Sequence, residues 1–160
     1  MKPRMMLRAT VVVGGLTALV VGGCATGGGM ATMSADEAIE VRQKHMKVQG
    51  EAWKSIQEKA KAGQVTAIVP DAEKLVATSK EIPAMFPEGS LKPEKSAAKP
   101  EIWQKRAEFE AAAKNLETWS VKLRDAAKAN NATETQAIVK DFGRQACGTC
   151  HQPFRVPPKK

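Results

Sequence analysis

Five residues near the C-terminal end, Cys147-Gly148-Thr149-Cys150-His151, constrain this chain more than any other stretch. On a helix the two cysteines are three apart and the histidine follows the first by four, so all three side chains project to one face. Two sulfurs and an imidazole then meet one edge of a flat ligand. A disulfide, a thioredoxin-like redox pair and half of a zinc site are the rival readings of two such cysteines. Redox pairs of that kind follow a strand, and no strand-like alternation precedes Cys147. Zinc asks for a fourth ligand, and the sequence holds only one other histidine, His45. The pattern as a whole is that of covalent haem attachment, with thioethers from Cys147 and Cys150 and an iron ligand from His151. An unmodified disulfide predicts a colourless protein.

The opening residues belong to a different problem. Met1 to Gly23 carries Lys2, Arg4 and Arg8, then an uncharged stretch from Ala9 onward and no acid, which is the layout of a secretory signal. Ala9 to Gly23 falls short of the roughly 20 residues that span a bilayer. The signal ends Val21-Gly22-Gly23-Cys24, similar to a bacterial lipobox, in which the cysteine is acylated and becomes the new N-terminus. Cysteine arithmetic favours acylation of Cys24, because the other two are used by haem. The competing reading is cleavage beyond Gly29-Met30-Ala31, which leaves a soluble periplasmic protein. Ala25, not an aspartate, follows Cys24, which favours the outer membrane. Residues 24–33 are Gly-rich and form a tether, residues 34–156 form the domain, and 157–160 form a basic tail.

Loss of residues 1–23 removes three of 25 cations, leaving 22 against 17 acids, a formal +5 in place of +8. The charges are spread along helical faces, and only Trp53, Trp103, Trp119 and four phenylalanines are available to stack on bases. Nucleic-acid binding is excluded on that ground. A mildly basic surface suits an acidic redox partner.

Apolar spacing predicts four helices. The first opens at Ser34, with Glu37 completing a capping box, and runs to Gly63 along a seam of Ile39, Arg42, Met46, Gln49, Trp53, Ile56 and Ala60. Its two polar members ask for something polar nearby. The second covers Val65 to Glu81 with Ile68, Ala72, Leu75, Ser79 and Ile82 at the same spacing, and Pro70 in its first turn. A Pro-rich connection from Ile82 to Pro100 wraps over the bundle. The third starts at Pro100 and repeats Ile102, Phe109, Leu116 and Leu123 at strict sevens. Asn130-Asn131 ends it, and Thr133 with Gln136 caps a fourth that carries Ile138, Phe142 and the haem motif. The fold expected is all-α, an antiparallel up-down four-helix bundle.

This order of parts resembles the cytochrome c prime family, the class II c-type cytochromes. The likeness rests on Arg42 with Met46, on Ile82-Pro83-Ala84-Met85-Phe86-Pro87, on Pro100-Glu101-Ile102-Trp103 and on Cys147-x-x-Cys150-His151-x-x-Phe154-Arg155. The resemblance implies one covalent haem c on the last helix. It also implies either of two functions. One branch is six-coordinate, with a first-helix methionine on iron, and transfers electrons; the other is five-coordinate and binds small gases. Met46, four residues after Arg42, stands where the methionine ligand of the first branch would be, with His45, Met85 or an open position as alternatives. Arg42 matches an arginine that pairs with a haem propionate, and Arg155 a basic residue near the proximal face, although Pro153 departs from the family pattern and threatens to bend or end the helix after His151. The expectation is an exported electron carrier that catalyses nothing itself, with gas binding as the alternative, and the resemblance implies a homodimer.

Overall fold

The computed structural model describes residues 33–158. The leader 1–23, Cys24 with the tether up to residue 32, and Lys159 and Lys160 lie outside them.

Helix α1, Ala35–Lys61, begins as expected: the Glu37 amide donates to Ser34 Oγ (3.3 Å), and the Ser34 amide donates back to Glu37 Oε2 (2.8 Å). Gly63 closes it at φ +71°, a left-handed conformation that glycine adopts without a Cβ clash. A 3₁₀ turn, Thr66–Ile68, leads into α2, Val69–Glu81, with Pro70 in the first turn, where its missing N–H costs nothing. All five apolar-seam residues of this segment, Ile68, Ala72, Leu75, Ser79 and Ile82, are buried.

The third predicted helix is two. After a 3₁₀ turn at Ile82–Met85 and the long connection come α3, Glu101–Gln104, and α4, Arg106–Lys128, separated by Lys105 at φ −122°, ψ 50°. Tertiary bonds hold this break. Arg106 donates to the carbonyls of Phe86 (3.0 Å) and Pro83 (2.7 Å), and Trp103 Nε1 to that of Pro87 (3.0 Å), which ties both sides of Lys105 to the connection. The heptad survives the break: Ile102, Phe109, Leu116 and Leu123 are all buried, each contributing about 2 kcal/mol of apolar transfer.

Asn130, at φ +51°, ends α4. The cap of α5, Ala132–Phe142, is Asn131, whose Oδ1 accepts from the Glu134 amide (3.1 Å), and not Thr133 with Gln136. Asparagine caps as well as threonine, and Gln136 is committed elsewhere, its Nε2 donating to the Ala60 carbonyl at the end of α1 (2.6 Å). A π-helical turn, Gly143–Gly148, and α6, Thr149–Phe154, complete the fourth rod. The packing order is α1 on α2, α2 on α4, α4 on α5 and α5 on α1, a closed four-helix bundle.

One polar latch joins α1 to α2. Asp71 Oδ2 accepts from Lys59 Nζ (2.6 Å) and Ser55 Oγ (2.7 Å) and is nearly buried. Burial raises the carboxyl's pKa, but Lys59 and Ser55 outweigh it and hold it below the ordinary value. A depressed folded-state pKa gives stability that is complete above the unfolded value of about 3.9 and lost as pH falls through the folded value. Asp71→Asn will therefore destabilise the bundle by about 1–3 kcal/mol near neutrality. In urea melts the deficit will be constant above about pH 5 and shrink below about pH 4; a deficit independent of pH would show that the charge is not what matters.

Candidate haem site

The motif residues do not sit on one regular helix. Cys147 falls in the π turn, and Cys150 and His151 on α6. Inside the turn the Gln145 carbonyl accepts from Asn115 Nδ2 and Thr149 Oγ1, both at 2.6 Å, so side chains of α4 and α6 support the irregular backbone. A Cβ at position 148 would meet the Gly143 carbonyl oxygen at 3.4 Å, an ordinary van der Waals contact. Cys150 and His151 line the main cavity directly, and Cys147 packs half-buried against the core beside them.

That cavity has a volume of about 440 Å³, within the range of sites that enclose an organic cofactor. Ile82, Phe86, Ile102, Phe109 and Phe154 form its apolar walls. Met46 enters from α1, so the methionine and His151 border the same space from different helices. Charged and polar groups include Arg42, Gln43, Lys47, Ser96 and Arg155, with no acid among the lining residues. An apolar slot with cationic groups fits a macrocycle that carries two carboxylates.

Arg42 is the decisive group for that fit. Its side chain is buried, and no carboxylate among the described residues lies within ion-pair distance. Burial alone lowers its pKa, yet guanidinium does not give up its proton in proteins. A buried cation without a counter-charge is costly, and a haem carboxylate would supply one. Its present bonds go to Ser90 Oγ (3.0 Å), the Ser90 carbonyl (2.9 Å) and Ser96 Oγ (3.0 Å), with the Phe86 ring 4.8 Å below. Neither serine was indicated by the sequence, because a hydroxyl in a loop carries no periodic signal.

The alternatives to Met46 face elsewhere. His45 is buried toward α2: Nε2 donates to the Thr78 carbonyl (2.8 Å), and Nδ1 is 3.6 Å from Glu81. Met85 is buried in the core and does not line the cavity. Gln49, the other polar seam residue, keeps a buried Nε2 with no partner among the described residues. Pro153 does not stop the helix at His151; α6 continues to Phe154, and Arg155 turns extended while still bordering the cavity.

Burial raises both thiols, Cys150 to about 11, and the two cysteines are free. Burial, reinforced by the charge of Arg155, lowers the pKa of His151. The neutral ring is the form that coordinates iron.

The family model described as Cytochrome C′ matches residues 37–155. This chain belongs to the cytochrome c′ family. A cytochrome c′ of Pararhodospirillum photometricum is 31% identical over 76% of this chain and 98% of its own. Cytochrome c-556 of Agrobacterium fabrum is 33% identical over 88% and 94%. Among solved structures, a nitric oxide complex of a variant cytochrome c prime from Alcaligenes xylosoxidans superposes with a TM-score of 0.69 at 26% identity, covering 78% of this chain and 98% of that one. As a cytochrome c′ family protein the chain carries one covalent haem c, for which Cys147 and Cys150 have the required spacing.

Proposed function

We propose that this chain is an exported single-electron carrier in which His151 and Met46 would both ligate the haem iron. The observation that supports it best is that Met46, on α1, borders the same cavity as His151, on α6, while His45 and Met85 do not. The bound haem iron supplies a one-electron couple, and with two strong protein ligands it has no position for substrate. The protein's own part is then to hold and shield the group, and it catalyses nothing itself. His151 ligates and Arg42 pairs with a haem carboxylate. Phe86, Phe109 and Phe154 exclude water, and Lys47 and Arg155 offer a cationic rim to an acidic redox partner. The absorption spectrum of the reduced protein with and without carbon monoxide tests the ligand set: a low-spin spectrum little changed by the gas is expected.

The second reading is gas binding at an open position. It is favoured by the solved complexes of Alcaligenes xylosoxidans cytochrome c prime variants with nitric oxide and with carbon monoxide, whose fold this chain shares.

No helix among the described residues is long and apolar enough to cross a membrane. For the periplasmic location and the lipid anchor the argument rests on the leader and Cys24. Cys24→Ala is expected to move most of the protein from the membrane to the soluble periplasmic fraction, because acyl chains supply the affinity. Mass spectrometry that finds an unmodified N-terminus beyond residue 24 would end this reading.

A further inference from the structure

We propose that Ser90 and Ser96 are positioning residues that clamp the Arg42 guanidinium beside the haem and thereby set the protein's reduction potential. The inference rests on the pairing of Arg42 with a haem carboxylate and adds the device that fixes it. Guanidinium has five N–H donors. Three are taken by the connection: one from Nη1 to Ser90 Oγ, and both from Nη2, to the Ser90 carbonyl and Ser96 Oγ. Two donors, on Nε and Nη1, remain for an anion.

The clamp is itself held from several sides. Ser90 is fully buried, and its hydroxyl donates to the Pro87 carbonyl (2.8 Å), which also accepts from Trp103 Nε1 (3.0 Å). Ser96 Oγ further accepts from the Ala98 amide (3.2 Å), beside the antiparallel bridge between Ala98 and Arg155. In that bridge the Lys99 amide donates to the Phe154 carbonyl (3.0 Å), and the Val156 amide to that of Ala97 (2.8 Å). Phe86, over which Arg42 lies, is fixed by Phe109 at 4.9 Å and Trp103 at 6.2 Å. The connection is thus pinned at α1 by Arg42 and at the haem-bearing end by the bridge, and the charge between them has one location. A fixed, partly desolvated cation favours the reduced haem, which carries one positive charge fewer, more than a cation free to reach water.

The experiment is a mediator titration of the intact haem protein as wild type, Ser90→Ala/Ser96→Ala, Ser96→Thr and Arg42→Gln, with haem content and thermal melts alongside. Loss of both hydroxyls is expected to lower the potential, shifting the equilibrium with a reference couple about three- to tenfold, tenfold being ~59 mV for one electron. Ser96→Thr keeps the hydroxyl and should keep the wild-type potential. Arg42→Gln should lower it at least as far as the double variant. If Arg42→Gln shifts the potential and the double variant does not, the clamp is overturned and the carboxylate pairing stands. If Arg42→Gln leaves it unchanged, the pairing itself falls, and the clamp with it. Should the double variant fail to fold, Ser96→Ala alone decides by the same comparison.

Discussion

Replacing Cys147 or Cys150 with Ala will leave the haem held by one thioether or lose it altogether, and replacing both will remove all of the covalent haem. Each thioether is one covalent link, and His151 alone holds haem only by a bond that denaturation breaks. Denaturing electrophoresis stained for haem reads the result directly; haem staining of the double variant would refute attachment at these positions. The loss reaches beyond the cofactor. Left without its filler, the cavity of about 440 Å³ strips its apolar walls of packing partners, a penalty set against the roughly 5–15 kcal/mol that a small domain has in total. The cavity is open at one side, and water entering there reduces the penalty. Even a fraction of it should turn the cooperative thermal transition of the haem protein into a broad, early one in the double variant.

Most of the bundle was legible because its signals are periodic. Ile102, Phe109, Leu116 and Leu123 recur at sevens and are buried together, and Ser34 with Glu37 makes the reciprocal cap that their spacing advertises. The break at Lys105 was not, since lysine is a good helix former and the interruption is held by bonds from Trp103 and Arg106 to carbonyls some twenty residues earlier. The π turn at Gly143–Gly148 was hidden for the same reason: Asn115 supports it from another helix. At the site, ligand-bearing residues were readable and their supports were not. Cys150, His151, Met46 and Arg42 announce themselves by motif or by seam position. Ser90, Ser96 and the wall of Phe86 depend on how the connection folds back, and local sequence does not encode that. His45 shows the converse: it lies beside Met46 in the chain but faces α2, because adjacent helical positions point about 100° apart.

Met46→Ala separates electron carrier from gas binder. If Met46 and His151 both ligate, the iron would be six-coordinate and low-spin, and its reduced state would be favoured. Carbon monoxide must then displace Met46, so the unmodified protein should bind it weakly or slowly. The cavity borders Met46 with Phe86, Phe109 and Ile82, none of which can ligate iron. Truncation to Ala therefore leaves a void beside the haem for water to fill. The variant should turn high-spin or water-ligated, and its carbon monoxide binding should tighten at least about tenfold, or ~1.4 kcal/mol. His45 offers no rescue, since its Nε2 is committed to Thr78 on the side facing α2. The two readings differ before any mutation is made as well. If the unmodified protein is already high-spin, and Met46→Ala changes neither its spectrum nor its gas binding, Met46 is core filler. The reading with an open iron position that binds small gases then takes first place.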